Sequence, residues 1–395
     1  MENIEEIGAN NKCTSCQVCG AICPFNAITI VSDKNGFYIP KVNHDLCTHC
    51  GLCVKVCAKI HSANTEENNS KVFYAYQTKC KNVLRSSSSG GFSSDLMEML
   101  VKEGYQIVGV EYDVENKLAR NAIYDSYPNI DRFRGSKYFQ SYSIDAFKTM
   151  IKNLGNEKYA IFGTPCQLFG IDLALRTLRK RDKAVLVSVF CHGAASTKVW
   201  QKYLEALPYN QDICHVSFRS KIYGWHRFAS IFELVNGNIR KSKKVFDRFY
   251  SLYFSGYVLN QSCYDCSFRN SLSFQDFAMA DFWGKRFDTN TKGVSLVAVC
   301  SPLAESLFDK MKAEVLASSI NFFEATKAQS FGKNRAIDLS IRNKVLSSLD
   351  RGIEEAYKNY LVAMSKKDRN TYNLRNLSYH IPYSIVGIFK NLVRK

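Results

Sequence analysis

Residues 13–24 read CTSCQVCGAICP, and residues 47–58 read CTHCGLCVKVCA. Each stretch places four cysteines in the spacing C-x2-C-x2-C-x3-C, and Pro24 directly follows the fourth cysteine of the first run. Two such runs supply the eight thiolates that two 4Fe-4S clusters need, and the fourth cysteine of each run ligates the other cluster. The spacing therefore predicts one cluster on Cys13, Cys16, Cys19 and Cys57, and a second on Cys47, Cys50, Cys53 and Cys23.

The alternative for these cysteines is a pair of zinc sites. Zinc sites are typically built from two separated CxxC pairs, whereas each run here is a triplet with one further cysteine. Each run is also followed by a polar or β-prone stretch, such as AITIVSDKNGFYIP at residues 27–40. We therefore predict a two-cluster, ferredoxin-like domain at residues 1–60 whose role is electron transfer.

The composition is that of a globular protein with room for two or three domains. The chain has 395 residues, of which 46% are hydrophobic, enough for a packed core. Its first residues are polar and acidic and lack the pattern of a signal peptide. Its apolar runs are shorter than a membrane span. Cluster ligands and reduced thiols together favour the cytoplasm.

The net charge of +17 is unevenly distributed along the chain. Residues 1–62 contain five lysines and five acidic residues, so the whole excess lies beyond them. A basic body attracts nucleic acid, an acidic coenzyme or an anionic lipid surface. Because no repeated pattern of aromatic and basic residues is present, we expect no nucleic-acid partner.

The rest of the chain is predicted to have an α/β fold. The polar segment 61–71 is predicted to be a linker. Over residues 72–300, β-prone stretches such as VFYAYQT, YAIFGT and AVLVSVF alternate with helical patterns. This alternation predicts a mixed, largely parallel sheet. The stretches VSFRS, FASIFELV, FAMADF and GVSLVAV are predicted to add β structure, antiparallel at an edge.

Residues 301–395 are predicted to form a helical C-terminal region. The tail IPYSIVGIFKNLVRK, residues 381–395, is apolar and basic at helical spacing. Packing on its own domain is the usual fate of such a segment, and peripheral contact with a membrane surface is the alternative.

A third group of cysteines lies in the predicted α/β domain. Cys166 and Cys191 each follow a predicted strand, and Cys263 and Cys266 form a CxxC pair. The carboxyl ends of parallel strands gather at one edge of a sheet, so we predict a third 4Fe-4S cluster on these four residues. Structural zinc, a redox dithiol and buried free thiols are the alternatives. The lone cysteines, Cys80, Cys214 and Cys300, are interpreted as core or surface thiols.

Other polar positions are candidates for binding a cofactor. The stretch RSSSSGG at residues 85–91 precedes a helical pattern, and such a helix start can bind a pyrophosphate; a flexible Ser-rich loop is the alternative. Lys137 is a candidate phosphate or ribityl contact, and Asp281 and Trp283 lie at a predicted strand end. His192 follows the candidate ligand Cys191 and is predicted to influence the third cluster without ligating it.

Seven motifs in this order resemble the family of coenzyme F420 hydrogenase/dehydrogenase beta subunits. They are SSSSGGF, GSKYFQS, FGTPCQ, FCHGAAS-KVW-KYL, FRSK-YGW, CYDCSFR and DFWG, and the similarity extends from about residue 72 to residue 300. A ferredoxin unit ahead of this domain is similar to the arrangement in F420H2 dehydrogenase electron-input subunits. Similar two-part chains also occur in bacterial surface-polysaccharide gene neighbourhoods.

The resemblance implies a flavoprotein in which FAD exchanges a hydride with coenzyme F420 or another substrate and passes single electrons to clusters. It supports the third cluster and a set of cofactor contacts: Ser88, Ser89, Gly90, Gly91, Lys137, Thr164 and Asp281. A ferredoxin-type protein is the implied partner. We hypothesise an FAD-dependent iron–sulfur oxidoreductase whose chemistry needs no catalytic acid or base from the protein. The alternative is a non-catalytic relay subunit that feeds a partner enzyme, for example one of surface-polysaccharide biosynthesis.

Overall fold

The computed structural model describes most of the chain. The described residues are 3–9, 12–62, 71–227, 229–243, 247–311, 315–327, 329, 331, 334, 336–378, 381 and 385–386. Most of the predicted linker, at residues 63–70, lies outside them. The predicted amphipathic tail also lies outside them, apart from Ile381, Ile385 and Val386.

The described strands are β1 (Ile28–Ser32), β2 (Tyr38–Val42), β3 (Val72–Thr78), β4 (Tyr105–Asp113), β5 (Leu118–Tyr124), β6 (Ser141–Tyr142), β7 (Lys158–Gly163), β8 (Ala184–Val189), β9 (Ile213–Ser220), β10 (Ala229–Leu234), β11 (Ile239–Lys243), β12 (Phe277–Asp281), β13 (Ser295–Val299) and β14 (Val315–Ile320).

The described α-helices are α1 (Glu5–Ala9), α2 (Val18–Ala21), α3 (Leu52–Lys55), α4 (Lys81–Ser86), α5 (Phe92–Lys102), α6 (Ile144–Asn153), α7 (Pro165–Thr177), α8 (Thr197–Glu205), α9 (Arg248–Ser255), α10 (Pro302–Met311), α11 (Phe322–Lys327), α12 (Leu339–Ser348), α13 (Ile353–Ala363) and α14 (Lys366–Ser378). None of these helices is both long enough and apolar enough to cross a membrane.

A large mixed sheet forms the centre of the molecule. Its strand order is β14-β3-β13-β12-β8-β7-β4-β5-β6. The four central strands, β12, β8, β7 and β4, run parallel to one another, which confirms the predicted α/β class. Antiparallel pairs flank them, with β13 beside β12 on one side and β5 beside β4 on the other.

Helices cover both faces of this sheet. Alternate residues of β7 point to opposite faces: Tyr159 and Ile161 pack with α6 and α7, whereas Ala160 and Phe162 pack with α5 and α10. Strands buried on both faces have near-continuous apolar sequences, which explains the run AVLVSV in β8. The near-continuous apolar sequence of the central strands therefore agrees with a sheet that helices cover on both faces.

Two features of the β structure differ from the sequence-based prediction. The stretches VSFRS and FASIFELV do not join an edge of the large sheet; they form β9 and β10 of a separate antiparallel sheet with the order β11-β10-β9. The predicted helical region after residue 300 contains β14, which pairs with β3 and extends the large sheet. Its short, β-branched-containing sequence VLASSI suits an edge position.

The N-terminal unit, which comprises the described residues up to 62, packs directly on the α/β body, which comprises the described residues from 71 onward. The N-terminal unit contains a hairpin of β1 and β2. Its short helices α2 and α3 lie one in each cysteine run and so repeat the two-fold pattern of the runs. Val18 and Val56, both fully buried, share a hydrophobic core with Phe147, Leu168 and Phe169 of α6 and α7. The N-terminal unit and the body thus form one packed structure over the described residues.

Candidate iron–sulfur centres and cofactor loop

A cavity in the N-terminal unit brings together the first predicted ligand set. Its volume is about 360 Å³, its open mouth included, and its lining contains Cys13, Cys16, Cys19 and Cys57. The first three cysteines come from the first run and the fourth comes from the second run. This is the crossed arrangement that the spacing predicts, although the ligand assignment itself stays a prediction.

A second cavity of about 370 Å³ contains the other set. It is lined by Cys23 together with Cys47, Cys50 and Cys53. The two loops also share an unusual backbone: the residues on either side of the second cysteine have positive φ in both runs. These are Ser15 (60°) and Gln17 (65°) in the first run, and His49 (54°) and Gly51 (74°) in the second. The repeat seen in the sequence is therefore also a repeat of local conformation.

Burial and mutual repulsion make the first set a poor environment for bare thiolates. Burial raises the pKa of Cys13 to about 12, with a further contribution from Cys16 and Cys57. Burial likewise raises the pKa of Cys19 well above its usual range. Thiolates in such a site need a compensating positive centre, because buried like charges repel one another. The donor set therefore fits a metal cluster.

The third predicted set converges in the α/β body. Cys166 lies in the first turn of α7, directly after β7, and Cys191 follows β8. Since β7 and β8 are parallel neighbours, their carboxyl ends lie side by side. Cys263 ends the 3-10 turn Gln261–Cys263, and Cys266 directly precedes the 3-10 turn Ser267–Asn270. Both turns lie before β12 in the chain.

Burial and neighbouring cysteines raise the pKa of two thiols in the third set. Burial raises the pKa of Cys191 to about 12, and Cys263 and Cys266 raise it further. The pKa of Cys166 is raised by burial and then by Cys16, Cys191 and Cys266. Cys16 belongs to the first ligand set, and Cys166 and Cys266 pack against the hydrophobic cluster that contains it. Within the described ranges, no three His, Cys, Asp or Glu side chains are arranged as a site for a single metal ion.

The predicted cofactor loop lies between α4 and α5, packed against β3 and β13. The backbone N–H of Gly90 donates to Ser295 Oγ at 2.9 Å, and its carbonyl accepts from Thr78 N at 2.8 Å. Gly91 has a φ of 93° and begins α5. The loop also meets the second Gly/Ser loop, because Ser136 N donates to Ser88 Oγ at 3.1 Å. Ser88–Gly91 and residues 135–137 are thus brought together.

Lys137 and Asp281 are positioned by other protein groups. The Lys137 ammonium donates to four backbone carbonyls, those of Val110 (2.8 Å), Phe133 (3.2 Å), Arg132 (3.3 Å) and Arg134 (3.3 Å). Asp281, at the end of β12, pairs with Arg219 and accepts from Trp225 Nε1 at 2.7 Å. In this structure both residues hold loops in place, and their direct contact with a cofactor stays a prediction.

Thr164 and His192 lie beside the third cysteine set. Thr164 Oγ1 is 3.4 Å from Cys166 Sγ. The His192 ring contacts the rings of Tyr253 and Phe254, at 5.3 and 5.7 Å between centroids. Thr164 therefore lies at the cysteine site, and its contact with a cofactor stays a prediction.

Sequence reasoning did not assign several residues that shape the loop region. Lys221 Nζ donates to Ser89 O at 2.8 Å and to Lys292 O at 2.6 Å, and it also bonds Leu84 O. Trp225 stacks on Trp283, with 4.8 Å between ring centroids. Lys221 and Trp225 belong to the stretch FRSKIYGW, which carries part of the family resemblance, although the sequence alone gives these two residues no role.

Two protein-family models match parts of this chain. Residues 12–59 match the 4Fe-4S dicluster domain. Residues 156–321 match the family described as coenzyme F420 hydrogenase/dehydrogenase, C terminus of the beta subunit. The first match contains all eight cysteines of the two runs, and the second contains the four cysteines of the third set. Ser88–Gly91 and Lys137 lie between the two matched regions.

Two curated proteins are similar to parts of the chain. One is the F subunit of F(420)H(2) dehydrogenase from Methanosarcina mazei, 24% identical over 201 residues, which cover 47% of this chain and 54% of that protein. The other is the B subunit of the Na(+)-translocating ferredoxin:NAD(+) oxidoreductase complex from Acetobacterium woodii, 42% identical over 52 residues, which cover 13% of this chain and 14% of that protein. The chain therefore spans about half of the first relative and a small part of the second.

Among solved structures, a chain of the F420-reducing NiFe hydrogenase complex from Methanosarcina barkeri, studied as a xenon derivative, is 16% identical to this protein. The superposition has a TM-score of 0.46 and covers 74% of this chain and 91% of that chain.

Proposed function

Because this chain carries a 4Fe-4S dicluster domain and is related to the beta subunits of coenzyme F420 hydrogenases and dehydrogenases, we propose that it is an iron–sulfur flavoprotein oxidoreductase. It passes electrons between an organic hydride donor or acceptor, coenzyme F420 or another compound, and a ferredoxin-type partner protein. A reducing compartment such as the cytoplasm suits its many thiols. The observation that carries the proposal is that Cys166 and Cys266 of the third set pack against the hydrophobic cluster that contains Cys16 of the first set.

The residues around the Ser-rich loop fit an anionic cofactor such as FAD. Gly91 starts the 11-residue helix α5, and a helix start favours phosphate groups. Ser87 Oγ is buried and has no hydrogen-bond partner among the described residues, so the loop retains a polar group for a ligand. Lys221, which donates to Ser89 O, places positive charge beside the loop.

A bound flavin exchanges a hydride as an electron pair and also exchanges single electrons, which is the form that 4Fe-4S clusters carry. The protein's own residues bind and orient these groups. Lys221 fixes Ser89 to the segment at Lys292, and Ser88 fixes the loop to Ser136. These bonds hold the loop in one conformation without a ligand, so less ordering is required when a ligand binds.

Aromatic side chains fill the space between the third cysteine set and this loop region. His192, next to Cys191, contacts Tyr253. Tyr253 in turn contacts Tyr138, with 5.1 Å between ring centroids. Tyr138 interacts electrostatically with Arg219, the partner of Asp281. These contiguous contacts connect the two candidate sites.

The exposure of the cysteines indicates where a partner protein would approach. Cys16 of the first set is buried against the body and Cys19 is buried within the N-terminal unit, whereas Cys50 of the second set is exposed. The exposed side chains of Phe25 and Leu46 lie in the same part of the N-terminal unit. The second set is therefore the proposed exchange point for a protein partner.

The test is the flavin content of anaerobically purified protein and its response to a hydride donor. We expect about one flavin per chain, as the proposed single FAD site requires. Reduced coenzyme F420, or NADH if the donor differs, is expected to bleach the flavin absorbance and then the cluster absorbance. Clusters without flavin, from cells with riboflavin available, would contradict the proposal and leave an electron-relay subunit. If NADH bleaches the flavin absorbance and reduced coenzyme F420 does not, the hydride donor is NADH and the proposed mechanism is retained.

A further inference from the structure

Gln17 crosses from the N-terminal unit into the α/β body. It follows Cys16 in the sequence, and its side chain is buried, with 2% of its surface exposed. Its Nε2 donates to Ser141 O at 2.7 Å. Its Oε1 accepts from the backbone N–H groups of Ser143 at 2.7 Å and Ile144 at 3.1 Å. One amide thus satisfies three backbone groups at the start of α6.

The hydrogen bonds continue from this point to the third cysteine set. Gln167 Nε2 donates to Ser143 Oγ at 2.9 Å, and Gln167 Oε1 accepts from Thr164 N at 3.1 Å and from Thr164 Oγ1 at 2.9 Å. Thr164 Oγ1 in turn lies 3.4 Å from Cys166 Sγ. A buried polar chain therefore runs from the residue after Cys16 to Cys166.

A second pair of contacts fixes the same cysteine loop. Asn260 Nδ2 donates to Ser15 Oγ at 3.0 Å. Ser262 Oγ donates to the carbonyls of Lys12 at 2.6 Å and Cys13 at 3.2 Å. Asn260 and Ser262 lie three residues and one residue before Cys263, another member of the third set. The loop of the first set is thus bonded to two of the segments that carry the third set.

Apolar contacts near Gln17 are equally close. A Cβ added to Gly170 of α7 would lie 3.1 Å from Val18 Cγ2, so α7 approaches the loop as closely as its backbone allows. Displacing Gln17 would leave the buried backbone groups of Ser141, Ser143 and Ile144 unsatisfied, which favours one arrangement of the interface. The distance between the first and third cysteine sets is therefore set by side chains of this interface.

We propose that Gln17 is a positioning residue that fixes the spacing of the first and third cluster sites across the interface, and so sets the rate of electron exchange between them. This inference rests on the proposed function, because it takes clusters to occupy both sites. Electron exchange between two centres falls steeply with their separation, so a small displacement of the loop has a large effect on the rate.

The test compares Gln17→Leu with Thr197→Val in the anaerobically purified full chain. Leucine is similar in size to glutamine and removes the three hydrogen bonds. Thr197 provides the matched control: it is buried and its Oγ1 donates to Gly36 O at 2.8 Å, so it also joins the two units, but it is not part of the chain to Cys166.

Three measurements are made on each variant: iron per chain, the electron paramagnetic resonance spectrum after full reduction, and amide hydrogen exchange. In Gln17→Leu we expect unchanged iron, weaker spin–spin interaction between the reduced clusters, and amide exchange at Ser143 and Ile144 faster by about tenfold or more. Thr197→Val is expected to leave the spin–spin interaction as in the wild type.

The outcomes separate this inference from the proposed function. Wild-type protein without spin–spin interaction beyond that between the two N-terminal clusters would overturn this inference, whereas clusters without flavin would overturn the proposed function. Interaction in the wild type that is unchanged in Gln17→Leu, or equally weakened in Thr197→Val, would overturn the positioning role alone. If Gln17→Leu does not fold, Gln17→Glu serves instead, because it retains an acceptor for Ser143 N and Ile144 N and loses only the donor to Ser141 O. It should weaken the interaction less.

Discussion

Lys137 shows that a residue singled out by sequence as a cofactor contact also has a structural role. Its place in a Gly/Ser loop predicts a contact with a phosphate or ribityl group. That contact stays a prediction; in the structure the Lys137 ammonium connects the end of the 3-10 helix Asn129–Phe133 to β4 through backbone carbonyls. Burial lowers the pKa of Lys137 to about 7, an effect that the neighbouring carboxylate of Glu111 partly opposes.

This lowered pKa gives a stability that depends on pH in a defined direction. The unfolded chain, with a lysine pKa of about 10.4, binds more protons than the folded chain between about pH 7 and pH 10. The contribution of Lys137 to the free energy of unfolding therefore rises with pH over that window. We expect the melting temperature of the wild type, relative to Lys137→Met, to rise between pH 7 and pH 9 by roughly 2 °C or more.

Lys152→Met, at an exposed position of α6, controls for the loss of one surface charge. Scanning fluorimetry on anaerobic samples measures the melting temperatures. We would conclude that Lys137 keeps an ordinary pKa in the folded protein if the melting temperature of the wild type minus that of Lys137→Met stayed constant or fell as the pH rises.

At the scale of elements, the Ser-rich loop depends on a glycine that no other residue can replace. A Cβ at Gly90 would lie 2.2 Å from Tyr76 O and 2.5 Å from Ser295 N. Both are backbone atoms of adjacent strands and cannot move aside as a side chain can. Gly90→Ala is therefore expected to destabilise the protein by about 1–3 kcal/mol, the usual range for overpacking, and to displace Ser88 and Ser89.

The measurement is flavin per chain together with the melting temperature. We expect Gly90→Ala to lose most of its flavin and to melt at a lower temperature. Gly155→Ala, where an added Cβ meets no atom within 4 Å, should match the wild type in both. Full flavin retention in Gly90→Ala would mean that this loop does not bind the cofactor.

Elements whose sequence carries a strong local signal are predictable, and elements defined by their partners are not. The apolar run of β8 and the strand before Cys166 predict neighbouring parallel strands, and the structure confirms them. By contrast, β9 and β10 have ordinary strand sequences, and nothing in them specifies a separate sheet. Likewise β14 becomes a strand because the edge of β3 is available to it.

At the scale of the whole molecule, the sequence predicts two units joined by a linker, and the structure shows a shared interior. Cysteine spacing is sufficient to predict which cysteines share each cavity of the N-terminal unit. It does not predict that Gln17 is buried in the body, because a glutamine in a polar loop has no sequence signature for burial. Arg219 and Lys221 escaped assignment for the same reason, since their partners are distant in sequence.

The central claim is that the α/β body carries a third cluster in addition to the two of the N-terminal unit, and iron per chain tests it most directly. Three 4Fe-4S clusters require about 12 iron atoms, and two require about 8. In anaerobic preparations we expect about 12 for the wild type and for Cys80→Ser, an exposed cysteine outside all three sets. We expect about 8 for the double variant Cys263→Ser and Cys266→Ser. About 8 iron atoms in the wild type, unchanged in the double variant, would contradict the claim.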